Sequence, residues 1–288
     1  MSLTISQLHT LRDLANKAAQ RAGAIIKEKQ GTQVKVLKKD GGDTLASCVV
    51  TEVDMAAEKA ILELLTPTLK DYNLGLLTEE STDDESRFNH DYFWCIDPLD
   101  GTLAYSRNED GYSTSIALVS RVGVPIIGVV YNPRTDTLYH AIKDQGAFKN
   151  DAPFKVSDHS KNLTLLFDQS YLSHPDYESH IRELKDHLQA IGLNELKINP
   201  LGGAVMNAIS TIELAPALYY KLPKKTLGGG SLWDFAASSV IQSEAGGLNS
   251  DYYKEALELN RRESTFMNHR GIIFCSSENI LKVLIKRP

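Results

Sequence analysis

Trp94-Cys95-Ile96-Asp97-Pro98-Leu99-Asp100-Gly101-Thr102 is an apolar run that stops on a carboxylate, meets a proline, and reaches a second carboxylate before a glycine and a hydroxyl. The run reads as a short buried strand, so any fold of this chain must bring the strand's end to a place that tolerates two acids. Two carboxylates three positions apart on a rigid turn repel each other, which suggests a cation that both ligate. Gly101 and Thr102 add backbone N–H groups and a hydroxyl beside that charge. Such a turn can hold a metal and receive a phosphate together.

The chain has 288 residues, enough for one large domain or two closely packed halves, read as 1–156 and 157–288. A net charge of −6 gives no electrostatic reason to expect a nucleic acid polymer or an anionic membrane as partner. Lys38-Lys39 and Lys224-Lys225 are short basic pairs, read as solvated loop charges. Cys48, Cys95 and Cys275 have no metal-binding spacing and read as reduced, buried thiols. The most apolar stretch, Ile116–Tyr131, is cut by Ser120, Arg121, Gly123 and Pro125 into strands, too short to span a membrane. With no signal-peptide pattern at the N-terminus, a cytoplasmic enzyme is the expectation.

Apolar periodicity places a first helix from an N-cap at Ser6 to about Lys29, with Gly31 ending it. Thr32–Leu37 alternates like a strand, and Lys38–Ser47 is a polar, glycine-containing loop. Thr51-Glu52-Val53-Asp54 fits a capping box opening a second helix, with Pro67 beyond its end. Strands are expected at Leu74–Leu77, Phe93–Ile96, Ser113–Ser120, Pro125–Tyr131, Thr137–Ala141, Leu163–Asp168, Glu195–Asn199, Ala217–Leu222 and Gly271–Cys275. Later helices are expected at Tyr177–Ile191, Ala204–Thr211, Trp233–Ala245 and Ser277–Lys286. Helices and strands mix without strict alternation, so a layered α/β (α+β) sandwich is favoured over a Rossmann sheet.

Acidic residues stand at the ends of apolar strands or the starts of helices: Asp54, Glu79 with Glu80, Asp97 with Asp100, and Asp234. Singly, each has an ordinary explanation as a helix cap, a favourable charge at a helix start or a solvated turn. Jointly they supply what hard divalent ions need, several oxygen ligands from separate elements. The eight histidines are scattered without metal-ligand spacing and read mostly as surface residues.

Four motifs in order make the chain resemble the inositol monophosphatase superfamily over nearly its whole length. They are Val50-Thr51-Glu52-Val53-Asp54, Glu79-Glu80, Asp97-Pro98-Leu99-Asp100-Gly101-Thr102, and Trp233-Asp234-Phe235-Ala236-Ala237 followed by Glu244-Ala245-Gly246-Gly247. Val129–Pro133 and Gln145–Phe148 fit the intervening strands. The resemblance implies alternating α-β-α-β-α layers and a Mg²⁺-dependent, lithium-sensitive phosphomonoesterase using two or three ions. It implies that Glu79, Asp97 and the Leu99 carbonyl hold one ion, and that Asp97, Asp100 and Asp234 hold a second. Thr102, bonded to Asp54, would orient the attacking water, with Asp54, Glu79 and Thr102 forming the catalytic set. Asp100, Gly101, Thr102, Gly203, Ala204 and Asp234 would meet the substrate. A homodimer and a small-molecule phosphate ester are the expected partners.

Departures from the family pattern bear on the substrate. Thr78 stands where many relatives carry glycine, and the Lys38–Ser47 loop is unusual. Leu103 replaces a lysine common in relatives acting on 3′-phosphoadenosine 5′-phosphate, and Gly203–Asn207 resembles the segment lining an inositol pocket. Inositol monophosphate is therefore the expected substrate, ahead of a 3′(2′),5′-bisphosphate and of fructose 1,6-bisphosphate. Lys221, Lys224 and Gly228–Gly230 are atypical of inositol monophosphatases and are candidate contacts for a second phosphate. A metal-binding regulatory relative without activity is the alternative of another class.

Overall fold

The computed structural model describes residues 3–31, 36–38, 49–157, 160–200 and 202–282. The Lys38–Ser47 loop beyond Lys38, Cys48 and the side chain of Thr51 lie outside the described residues. Two helices, α1 (Ile5–Lys29) and α2 (Glu52–Asp71), flank a short antiparallel pair, β1 (Val36–Lys38) and β2 (Val49–Thr51). The N-cap of α1 is Thr4 rather than Ser6, because Gln7 completes a reciprocal capping box with it. Pro67 lies inside α2 rather than beyond its end. The last turn is docked despite the lost N–H: buried Thr68 donates to the Leu65 carbonyl and accepts the Trp94 indole N–H at 2.9 Å.

A seven-stranded sheet follows in simple spatial order. It comprises β3 (Gly75–Thr78), β4 (Tyr92–Asp100), β5 (Ser113–Ser120), β6 (Pro125–Asn132), β7 (Thr137–Ile142), β8 (Ala147–Lys149) and β9 (Ala152–Phe154). Only β3 and β4 are parallel; the other neighbours are antiparallel. A single short helix, α3 (Thr102–Ser106), leaves the end of β4.

The remaining chain runs β10 (Asn162–Leu166), α4 (Tyr177–Leu188), β11 (Glu195–Asn199), α5 (Ala204–Glu213), β12 (Ala217–Lys221), α6 (Leu232–Glu244), β13 (Leu248–Ser250), β14 (Ile272–Cys275) and α7 (Glu278–Leu281). Its five strands form a mixed sheet ordered β11-β10-β12-β14-β13. The strand β13 had no apolar signature and was not expected. It is recruited by pairing with β14. The final helix is shorter than Ser277–Lys286, ending at Leu281, with residues beyond 282 outside the described set.

Period-two burial explains the layers. On β4, Trp94 and Ile96 face the α1/α2 layer with Ile116, Leu118, Ile127 and Val129, while Phe93 and Cys95 face α5 and α6 with Ala117 and Val119. Leu166, Tyr219 and Phe274 close that central layer from the second sheet. Leu163, Leu165, Leu218 and Ile273 turn outward to Ile181, Leu184 and Leu188 of α4 and Ile280 of α7. The order is therefore α-β-α-β-α, as expected. Cys95 and Cys275 are buried thiols, and burial raises both, Cys275 to about 12. Two histidines depart from the surface expectation: His140 and His180 are buried.

Candidate active site

β4 does not end in a free turn after Asp97. It stays paired to β5 through Asp97↔Ser115, slips by one residue, and resumes at Asp100↔Ser113. Residues three apart on a regular strand point to opposite faces, and the extra residue of this bulge brings Asp97 and Asp100 to the same side. Pro98 is accommodated where the ladder is interrupted, so its missing N–H costs no sheet bond. The bulge is tied down locally. Leu99 donates its N–H to Asp97 Oδ1 at 2.9 Å, and Thr114 donates its hydroxyl to the Pro98 carbonyl at 2.9 Å.

Four other elements meet this strand end. Asp100 accepts the backbone N–H groups of Ala204 (3.1 Å) and Val205 (2.9 Å) at the start of α5. That approach requires glycine at 203, where a Cβ would stand 2.0 Å from Asp100 Oδ2. Gly203 itself donates to the Gly111 carbonyl, so the amides of Gly203 and Ala204 are both engaged within the protein. Asp234 opens α6, where it accepts the Ser231 N–H at 2.8 Å in a capping box. Glu79 follows β3, held by its N–H to the Ile96 carbonyl at 3.1 Å. Asp54, in the first turn of α2, is 1% exposed and accepts the Thr102 hydroxyl at 2.9 Å. The same hydroxyl lies 3.0 Å from the Leu99 carbonyl.

Oxygens of Asp97, Asp100 and Asp234 all come within 4.8 Å of one another. Asp97 is also in hydrogen-bonding reach of Glu79 and Asp234. Burial, then the negative charges of Glu79, Asp100 and Asp234, hold the Asp97 carboxyl well above the ordinary carboxylate range. Burial and Asp234 do the same to Asp100, partly offset by the two amides it accepts. Asp234 is raised by burial, with Lys221 acting against the rise. A gathering of hard carboxylate oxygens, with no histidine or thiol among them, fits Mg²⁺-like cations rather than softer metals.

Sequence reasoning passed over two supports of this site. Glu58, 5% exposed and one helical turn after Asp54, accepts the Glu80 N–H at 3.1 Å and the Ser81 hydroxyl, so it shapes the loop that carries Glu79. Its place at i+4 from Asp54 on an otherwise apolar face was the available signal. Asp168, just after β10, forms an ion pair of 2.7 Å with Lys221 at the end of β12 and accepts the Tyr219 hydroxyl at 2.9 Å. Nothing in the local sequence marks Asp168, because its partners arrive through the parallel pairing of β10 with β12.

A family model described as "Inositol monophosphatase family" matches residues 7–287. The chain is 30% identical over 256 residues to an inositol-1-monophosphatase of Synechocystis, covering 88% of this chain and 83% of that protein. It is also 30% identical over 224 residues to the 3′(2′),5′-bisphosphate nucleotidase CysQ of Escherichia coli O157:H7, covering 76% and 82%. Among solved structures, inositol monophosphatase from Anabaena superposes with a TM-score of 0.68 at 25% identity, covering 98% of this chain and 97% of that one. The suppressor protein SuhB of Bartonella henselae superposes at 0.72 with 24% identity, covering 97% and 100%, which speaks for the fold.

Proposed function

The chain belongs to the inositol monophosphatase family and is a hydrolase of phosphomonoesters; from that premise we propose a Mg²⁺-dependent reaction centred on Asp97, Asp100 and Asp234. The convergence of these three carboxylates beside the Thr102–Asp54 pair carries the reading. Glu79, Asp97 and the Leu99 carbonyl would hold one ion, and Asp97, Asp100 and Asp234 a second. A third, weaker ion would lie near Glu79. Such ions neutralise phosphate charge and lower the pKa of water.

The protein's own part is positioning and proton transfer. Thr102 commits its hydroxyl proton to Asp54, which leaves its oxygen free to accept a proton from the attacking water. The proton thus passes from water to the Thr102 oxygen as the Thr102 proton passes to Asp54. Gly101 and Thr102, at the start of α3, present the phosphate-facing backbone. Gly203 and Ala204 bring α5 against Asp100 and border the alcohol side of the ester.

Inositol monophosphate is the first substrate to test, after the Synechocystis relative. A second reading, a 3′(2′),5′-bisphosphate nucleotide, is favoured by the CysQ likeness. Phosphate release from inositol 1-phosphate, 3′-phosphoadenosine 5′-phosphate and fructose 1,6-bisphosphate, with and without Mg²⁺, separates these. A preference for the nucleotide above about tenfold in kcat/KM, roughly 1.4 kcal/mol, overturns the inositol reading. Asp100→Asn should lower the Mg²⁺-dependent rate by orders of magnitude, and an unchanged rate removes Asp100 from the site. Inhibition by lithium, a homodimer, a cytoplasmic location, and residues 1–156 and 157–288 acting as halves of one catalytic unit complete the proposal.

A further inference from the structure

Arg121, Arg261 and Arg270 line one open cleft of about 810 Å³, a size typical of small-molecule sites. Exposed Val122 and Tyr253 line it too. The cleft is remote from the acid cluster. β5 begins at Ser113, opposite Asp100, and Arg121 follows its other end, roughly 25 Å along the strand at about 3.3 Å per residue.

The walls of the cleft are fixed from behind. Buried Arg87 donates to Asn260 Oδ1 at 2.7 Å and to the Arg261 carbonyl at 3.0 Å. Asn260 Nδ2 donates to the Arg121 carbonyl at 2.8 Å. These bonds join the turn between β5 and β6 to the 258–270 segment, so the arginines stand on one rigid frame though they are far apart in the chain.

Their guanidinium groups are underused. Arg270 gives Nε to buried Asp251 and lies over the Tyr253 ring at 5.0 Å. Arg261 gives Nε to exposed Glu263 at 3.2 Å. Arg121 has an ion pair with Asp91 at 3.6 Å, too long for a hydrogen bond. Among the described residues, the terminal nitrogens of all three have no hydrogen-bond partner. Two glutamates share the cleft, Glu263 and Glu258, and the second is occupied by His269. Exposed pairs such as Arg261–Glu263 and Arg121–Asp91 contribute little and yield to a better partner. Phosphate is such a partner, because its oxygens match the planar guanidinium fork two at a time.

We propose that this cleft is a second ligand site, taking a small molecule that carries at least two phosphate groups. Phosphate oxygens displace Glu263 from Arg261 and Asp91 from Arg121. Arg270, pinned by Asp251, sets their position, and Val122 and Tyr253 meet the rest of the ligand. No bond is made or broken there. The site is independent of the chemistry proposed for the acid cluster.

The test is calorimetric titration of the full chain with inorganic pyrophosphate in EDTA. Without divalent cations the carboxylates of the acid cluster repel anions, so the heat reports the cleft. One site per chain is expected, with Kd at or below about 1 mM and weakening as salt rises. Arg121→Gln and Arg261→Gln should each weaken binding tenfold or more. Both side chains reach solvent, so melting temperatures should barely move. Asp100→Asn in the acid cluster, and Lys143→Gln at an exposed cation outside the cleft, should change binding less than twofold. No binding by the parent, full binding by Arg121→Gln/Arg261→Gln, or equal weakening by Lys143→Gln overturns the proposal. Loss of binding in Asp100→Asn overturns it as well, since the anion would then sit at the acid cluster. Metal is absent throughout, so failure here leaves the reading of that cluster untouched.

Discussion

Asp97→Asn should make the metal-free protein more stable while abolishing its proposed chemistry. Oxygens of Asp97, Asp100 and Asp234 lie within 4.8 Å of one another, and at an effective dielectric of about 20 two unit charges at that distance repel by about 3.5 kcal/mol. Asp97 meets two such partners and Glu79 besides. Protonation relieves part of this, so the net gain on neutralising Asp97 is about 1–3 kcal/mol, or roughly 3–8 °C in melting temperature. Asp97 is chosen over Asp100 because asparagine can still accept the Leu99 N–H, whereas Asp100 accepts two amides of α5 that a single amide oxygen cannot both satisfy. The sign of the pH dependence follows from the raised carboxyls. Folded Asp97 and Asp100 hold protons more tightly than the unfolded chain does. Stability of the parent in EDTA should therefore fall as pH rises from the ordinary carboxylate value through their raised range. Asp97→Asn should flatten that slope, and its advantage should shrink or reverse in millimolar Mg²⁺, where the parent gains a ligand and the variant loses one. Thermal melts at several pH values, with EDTA and with Mg²⁺, measure all of this. A variant less stable than the parent in EDTA at pH 8, with the slope intact, would refute the claim that these carboxylates strain the empty site.

Other perturbations separate support from chemistry. Asp54→Asn preserves the acceptor for Thr102 but removes its charge, so kcat should drop by about 10²-fold or more while stability moves by about 1 kcal/mol or less. Near-normal turnover would reduce Asp54 to a structural residue. Glu58→Ala strips two partners from the Glu79–Ser81 loop and should cost about 1–3 kcal/mol, with a higher Mg²⁺ requirement that raised Mg²⁺ partly restores. Gly203→Ala places a methyl on the Asp100 carboxylate and should weaken both stability and Mg²⁺ dependence, an outcome read by melts and by Mg²⁺ titration of activity. His140, buried between Phe148 and the Arg12 side of α1, is held below the ordinary histidine value chiefly by burial and then by Arg12. Its contribution to stability is full above about pH 6.5 and is lost as pH falls through the depressed value. Replacing it with phenylalanine should therefore flatten the stability profile between pH 7 and 5 in Mg²⁺, and an unchanged profile would exclude it as the group responsible.

Local pattern was sufficient wherever burial has a short period. Ser113–Ser120 and Glu195–Asn199 form strands with the bounds their alternation and flanking turns predict. Ala204–Glu213 and Leu232–Glu244 form helices within a residue or two of expectation, since Gly203 and Ser231 mark where each must begin. Pattern failed where a distant partner outweighed it. Pro67 sits inside α2 because Trp94 holds Thr68, and β13 is a strand because β14 pairs with it.

From the sequence come the identity of the acid stations, most of the helices and strands, and the hydrophobic faces by which they pack, while the five-layer order came from the family resemblance. The first three depend on neighbours a few residues apart, where periodicity is enough. Tertiary structure alone decided that a one-residue slip in β4 turns Asp97 and Asp100 to one side, and that Glu58 props the Glu79 loop. It also placed Asp168 to anchor Lys221 at the end of β12 over the ring of Phe235. Each of those outcomes is a distance between groups far apart in the chain. Such distances are set by how layers pack, which no run of adjacent residues encodes.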